Sequence, residues 1–347
     1  MVNPPSRPLS PSVLHEAMAR RLYRRAEAHG EIRLLAVPGM IDEYVKMCDT
    51  VFNGVGVRFT ADELARLKTV LKGELTEAFA ASPRSYIIVS YNSPVGTVLN
   101  YNVRPQWGSI EGAYEDWLAT REPPLFGTQP DARVWALAGE AIDPAGCRVL
   151  DIGAGTGRNS LALARRGHPV DAVEMTPKFA EMIRAEARQQ FLDVRVIERD
   201  LFTSAGELGR DYQLIVLSEV VSDFRSFEQL RHVLELADQH LARGGRLVFN
   251  AFLPRHGYVP DEAARQLGQQ TYTTIFTWEE MNDAAAGLPL QLVSDESVYD
   301  YEKAHLPEGS WPQTSWYANW VDGLDVFGVE RAASPIEMRW LVYQKLG

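Results

Sequence analysis

Residues 149–160, VLDIGAGTGRNS, close an apolar run with Asp151 and then set Gly153, Gly155 and Gly157 at every second position. Glycines so spaced strip side chains from a loop and let a ligand approach the backbone. The free N–H groups that open a following helix favour a carboxylate as readily as a phosphate. Three loops of this kind bind three ligand classes. A phosphate-binding P-loop needs G-x-x-x-x-G-K-[ST], and no lysine follows here, so that class fails. A dinucleotide fingerprint needs G-x-G-x-x-G, and here the third glycine comes one position early. The third pattern is D-x-G-x-G-x-G, which Asp151, Gly153, Gly155 and Gly157 match in full.

Further acids recur where apolar segments end. Glu174 closes PVDAVEM, Asp200 follows VRVIER, and Ser218 with Glu219 closes YQLIVLSE. An acid in the place of Glu174 can accept both ribose hydroxyls, although a dinucleotide site also wants one near that offset. Taken singly, each acid reads as a helix cap or a solvated turn. Four of them at one edge of one sheet favour a shared ligand. Glu219 and Asp223 lie four apart in SEVVSDF, and on a helix both would face one side. They are the catalytic candidates, with an N-terminal helix acid pair as the equal alternative. His256 and His305 are left out, because a lone histidine more often packs than transfers protons.

These residues need a frame. From about residue 106 apolar strands alternate with helices. Strands are predicted at 147–153, 169–175, 194–201, 212–219 and 246–253, with helices at 107–120, 131–142, 158–167, 177–190 and 227–245. Such alternation predicts a doubly wound, mostly parallel α/β sheet with helices on both faces. MRWLVYQKL (338–346) reads as a closing edge strand. Ligands of such sheets sit at the carboxyl ends of the strands. The first 105 residues form an N-terminal α+β addition of helices and a hairpin. Residues 1–12 are Pro/Ser-rich and read as loosely attached. Helices are predicted at 13–30, 39–52 and 60–81, the last with a Thr60–Glu63 capping box and Leu64, Leu67, Leu71, Leu75 and Phe79 at helical spacing. SYIIVSY (85–91) and TVLNYNV (97–103) read as strands joined by NSPVG. The predicted domains are therefore 1–105 and 106–347.

Composition bounds the partners. The chain has 347 residues, 46% of them apolar, and a net charge of −11. That charge argues against wrapping nucleic acid, which needs basic surface to release counterions. Arg7, Arg20, Arg21, Arg24 and Arg25 run against the trend, and they read as a solvated helix face. No run approaches the ~20 apolar residues of a membrane span, and MVNPPSRPLSPS does not read as a signal peptide. Cys48 and Cys147 alone make neither a disulfide framework nor a zinc site, so no metal and a reducing cytoplasm are expected.

With its loop and strand-end acids, the segment from about 110 to 255 resembles the class I S-adenosylmethionine-dependent methyltransferases, with a texture similar to small-molecule enzymes of the tellurite-resistance type. The resemblance implies a Rossmann-like seven-stranded sheet and S-adenosylmethionine as cofactor. It implies a cofactor set of Asp151, Gly153, Gly155, Gly157, Asn159 and Glu174, joined by Met175, Asp200, Leu201, Ser218 and Tyr114. Asp200 would cap the adenine amino group, with Leu201 or Phe202 on the ring. The helix carrying Tyr114 and Trp117, after Tyr101 and Trp107, would fold over the cofactor as a lid, unless its aromatics are a buried stripe. Trp311, Trp316, Tyr317 and Trp320 fall where substrate-specific insertions sit, and could wall an apolar, flat or cationic acceptor. The tip of the strand predicted at 212–219 lacks the Asn/Asp-Pro-Pro-Tyr/Phe tetrad that the resemblance makes typical of enzymes methylating exocyclic or amide nitrogens, which counts against DNA adenine and glutamine methylation. The expected function is methyl transfer to a small-molecule acceptor. A protein or RNA substrate, a non-catalytic cofactor-binding module and a nicotinamide oxidoreductase are the alternatives. The N-terminal region is expected to serve as a homodimer contact or a substrate lid.

Overall fold

A computed structural model describes residues 10–23, 27–82, 84–93, 99–121 and 124–347. The chain divides into two compact units, Met1–Ser109 and Ile110–Gly347.

In the first unit, strands β1 (Ala28–Leu35), β2 (Tyr86–Ser93) and β3 (Asn100–Gln106) pair antiparallel in the order β1-β2-β3. Helices Ile41–Gly54 and Ala61–Ala81 cover the sheet. Leu67, Leu71 and Leu75 are buried against Tyr44, Phe52 and Ile87, as their four-residue spacing predicts. The capping box forms: Thr60 accepts from the Glu63 amide at 3.3 Å, and Glu63 accepts from the Thr60 amide at 2.7 Å. The helix predicted at 13–30 stops at Tyr23, and β1 takes up its end. In β1 side chains alternate between faces, which suits pairing with β2 better than helix, and Gly30 disfavours helix further. The first helix begins at Pro11, where a missing N–H costs nothing. Residues 1–9, Arg24, Arg25 and the 94–98 part of the predicted turn lie outside the described residues. Tyr101 packs with Phe52 and Phe59, so it belongs to this unit's core.

The second unit contains the predicted Rossmann-like sheet. Its strands are β4 (Val149–Ile152), β5 (Val170–Val173), β6 (Val194–Ile197), β7 (Tyr212–Leu217), β8 (Leu241–Pro254), β9 (Leu290–Ser297) and β10 (Ile336–Lys345). Their order is β6-β5-β4-β7-β8-β10-β9, parallel from β6 to β8, with β10 antiparallel to both neighbours. The order reverses at β4, so the glycine loop leaves the sheet at its switch point. Both faces are covered. Leu247, Phe249, Ala251 and Leu253 of β8 enter one apolar cluster, while Val248 and Phe252 enter the other with Tyr317, Trp320 and Trp340.

Two predicted elements are corrected. The helix expected at 227–245 ends at His240, and LARGG opens β8. Gly245 has no side chain because a Cβ there would stand 2.7 Å from the Tyr212 carbonyl oxygen, where β8 begins beside β7. The C-terminal strand is internal, inserted between β8 and β9. The true edge strand, β9, is largely exposed and shows little apolar signal.

Candidate functional site

The loop after β4 has the backbone its glycines permit. Gly153, Gly155 and Gly157 have φ of 71°, 56° and 88°, a region L side chains rarely enter. A Cβ on Gly153 would come within 2.4 Å of Val220 Cγ2. Asp151 lies beneath the loop, 2% exposed, where it accepts from Ser160 Oγ at 2.5 Å. Burial pushes its pKa up to about 7, against the Ser160 hydrogen bond. Glu174 stands beside the loop at the end of β5. One carboxylate oxygen accepts from the Gly155 amide at 2.8 Å and the other from the Thr176 amide at 2.7 Å. The acid therefore holds the loop open while keeping lone pairs for a ligand. Burial raises its pKa.

The next tips follow in register. Met175 is half-buried beside Glu174. Asp200 caps the short turn Leu201–Thr203 through the Phe202 amide at 2.7 Å. Leu201 is 8% exposed and belongs to the core, whereas Phe202 is half-buried against Phe224 and His232. Ser218 Oγ, beyond β7, is buried with no hydrogen-bond partner.

Glu219 adopts φ 61°, rare for a residue with a side chain. Its amide donates to Asn250 Oδ1 at 2.7 Å, and its carboxylate accepts from Arg158 Nη2 at 2.9 Å. Arg158 is in turn clamped by Asp131, at 2.6 Å and 3.2 Å. Burial raises the Glu219 pKa to about 7, with Arg158 opposing and Asp131 reinforcing the shift. Behind this chain, Glu302 is fully buried and accepts the Ala132 and Arg133 amides at 2.7 Å and 3.1 Å and Trp340 Nε1 at 3.0 Å. It closes the start of helix Ala132–Ala138.

Three sequence expectations change here. Asn159 does not face the loop opening: both its amide atoms bond Asp131, at 2.9 Å and 2.8 Å. It is a strut of the Asp131–Arg158 clamp. Glu219 and Asp223 do not share a helical face, because the segment forms only a 3-10 turn, Val221–Asp223, and Phe224 after it is extended. Glu219 turns to Arg158, and Asp223 accepts from the Tyr114 hydroxyl at 3.4 Å. The helix Ile110–Thr120 brings Tyr114 and Trp117 against Phe126, and Trp117 against Trp316, so the two aromatic groups of the sequence meet. His256 is exposed, and His305 stacks on Tyr301. Asp131, Arg158, Asn250 and Glu302 were not singled out by sequence. Asp131 immediately preceding a helix was the one local signal; the rest depends on contacts across 27 to 170 residues.

The donor set fits a nucleoside carrying a sulfonium and an ammonium. Backbone room stands over three glycines, Glu174 and Asp200 offer carboxylate acceptors, Ser218 Oγ is an orphaned polar atom, and aromatic rings stand near. Among the described residues no group of His, Cys, Asp and Glu is arranged to hold a metal ion, and no helix is long and apolar enough to cross a membrane.

Comparison with known proteins agrees with the loop. Residues 149–245 match the family described as methyltransferase domain. An uncharacterized methyltransferase of Mycobacterium tuberculosis is 32% identical over 165 residues, 47% of this chain and 57% of its own length. The probable S-adenosyl-L-methionine-dependent methyltransferase TehB of Haemophilus influenzae is 25% identical over 187 residues, 51% of this chain and 63% of its own. The chain thus spans less than two thirds of the curated relatives it matches. A putative sarcosine dimethylglycine methyltransferase from Galdieria sulphuraria superposes with a TM-score of 0.48 at 16% identity, covering 68% of this chain and 98% of that one. In its loop, strand order and strand-end acids, the segment 149–245 is similar to the methyltransferase-domain family that its sequence matches.

Proposed function

We propose that this chain transfers the methyl group of S-adenosylmethionine to a small-molecule acceptor. The observation that carries the reading is the glycine loop itself: three positive-φ glycines at the sheet's switch point, braced by Glu174 through the Gly155 amide. When bound, the cofactor supplies a methyl group on a sulfonium, already a good leaving group. Glu174 binds the ribose hydroxyls, and Asp200 receives the adenine amino group. Met175, Ser218 and Tyr114 flank the same opening. Asp151 supports the loop from below through Ser160.

The remaining work is to orient the acceptor and exclude water. Orientation of this kind contributes roughly 7–11 kcal/mol to lowering a barrier. Glu219, held by Arg158 and Asn250, is the group that takes an acceptor's proton. Burial raises its pKa toward the range that suits a base near neutral pH. Asp223, bonded to Tyr114, orients the acceptor from the lid side.

Calorimetric titration with S-adenosylmethionine tests the reading, alongside Asp151→Ala and Glu174→Ala. Micromolar binding by the wild type, weakened at least about tenfold in Glu174→Ala, supports it; a tenfold loss corresponds to about 1.4 kcal/mol. A wild type that binds NADH and not S-adenosylmethionine overturns it.

A further inference from the structure

Aromatic rings from four separate segments of the chain converge beside the glycine loop. A Cβ added to Gly155 would stand 3.6 Å from the Phe126 ring. Trp117 is the hub of the group. Its ring centroid lies 5.8 Å from that of Tyr114, 6.3 Å from those of Phe126 and Trp316, and 6.4 Å from that of Tyr272. Tyr114, Trp316 and Tyr272 cross it at 84°, 67° and 75°, whereas Phe126 lies nearer parallel, at 29°. Among the described residues, Tyr114, Trp117, Phe126 and Tyr272 stand outside the apolar clusters on the two faces of the sheet, and with Trp316 they keep part of their surface exposed. The group reaches the tip of β7, where the Tyr114 hydroxyl donates to Asp223 at 3.4 Å.

One of these rings is placed at a backbone cost. Tyr272 has φ 55°, a region that bulky residues rarely enter. The short turn before it, Gln269–Thr271, is fixed from outside: Trp320 Nε1 donates to the Thr271 carbonyl at 3.1 Å. Glycine or asparagine serves such a turn with less strain, so what the tyrosine adds is a ring beside Trp117. An aromatic ring carries a negative face and a positive edge, and it pairs best edge-on or offset. Rings that cross Trp117 steeply offer both faces and edges to a guest. A flat aromatic guest gains from them, while a saturated ring of the same size gains only from burial.

We propose, resting on the methyltransferase reading, that the acceptor is a flat aromatic molecule seated against Trp117, Tyr272 and Trp316. These three residues set acceptor specificity, and the cofactor loop lies beyond Phe126.

Matched uncharged probes test this without knowledge of the natural acceptor, because they differ in ring character alone. The full-length protein, saturated with S-adenosylhomocysteine, is titrated by calorimetry at neutral pH with three pairs: phenol and cyclohexanol, benzyl alcohol and cyclohexylmethanol, 2-naphthol and decahydro-2-naphthol. At least one aromatic probe is expected to bind about threefold or more tighter than its saturated partner. Trp117→Leu, Tyr272→Leu and Trp316→Leu should each abolish most of that preference, and Trp316→Phe should keep more of it than Trp316→Leu. Unchanged S-adenosylhomocysteine affinity reports that each variant folds. Trp135→Leu, at an exposed tryptophan of helix Ala132–Ala138, is the control for stacking on the surface and should leave the preference intact. Equal binding of saturated and aromatic partners, absence of binding by every aromatic probe, a preference undiminished in the three leucine variants, or one lost equally in Trp135→Leu overturns the proposal. Failure of the wild type to bind S-adenosylhomocysteine instead overturns the methyltransferase reading beneath it.

Discussion

Asp151 is an acid kept from water and given one hydroxyl in return. Its folded pKa, about 7, lies above the 3.8 of an open chain. A carboxyl raised in this way supports folding fully below about pH 4. That support is lost as pH rises toward 7 and is level above it, because only the unfolded chain releases the proton early. Asp151→Asn keeps the Ser160 bond without the ionisation. We therefore expect the melting temperature of the variant to gain on the wild type between pH 4.5 and 7.5, with roughly 4 kcal/mol as the upper bound. A gap constant across that window would mean that Asp151 is ionised in the fold throughout. At Arg158 the expected effect has the other sign. Asp131→Ala leaves a buried guanidinium half-paired, and such losses run to about 3–5 kcal/mol. Chemical denaturation of D131A should show a drop of that order, with Arg158→Met in the same background recovering part of it.

Loops and caps decide where the elements end. Gly153 joins β4 to the loop at φ 71°, with Val220 Cγ2 2.4 Å from where a Cβ would stand. Gly153→Ala adds backbone strain of about 1–3 kcal/mol and a steric clash, so it should lower both the melting temperature and S-adenosylmethionine affinity. Gly206, where a Cβ meets nothing within 4 Å and φ is not positive, is the control, and G206A should change neither. The capping box at Thr277 and Glu280 holds helix Trp278–Ala285 as Thr60 and Glu63 hold theirs. Thr277→Ala should reduce stability by about 1 kcal/mol, read by denaturant midpoint, without moving cofactor affinity.

At the scale of the molecule, each unit has its own core. The sheet of Ile110–Gly347 is packed on both faces by clusters drawn from that unit alone. Expressed by itself, 110–347 should fold cooperatively and bind S-adenosylmethionine, as calorimetry and thermal melting would read. A fragment that folds but no longer binds would place part of the cofactor site in the first 109 residues. The cluster of Leu67, Leu71, Leu75 and Phe52 is likewise internal to its unit.

Much of this was legible in the sequence, for a local reason. Asp151 and the three glycines, the acids at 174, 200 and 219, the alternation of strands and helices, and the Thr60 cap all depend on residues close together in the chain. Periodicity and backbone freedom are properties of such short stretches. What the tertiary structure decided lies between distant segments. The insertion of β10 between β8 and β9 depends on pairing across the sheet, and a strand's own pattern does not say which neighbours it will have. The turning of Asn159 toward Asp131, the separation of Glu219 from Asp223 and the meeting of Trp117 with Trp316 follow from that arrangement. Local sequence set the cofactor loop because backbone conformation is local. The contacts of Asp131, Glu219 and Trp117 are assembled by packing, and packing partners are chosen only when distant segments of the chain close on one another.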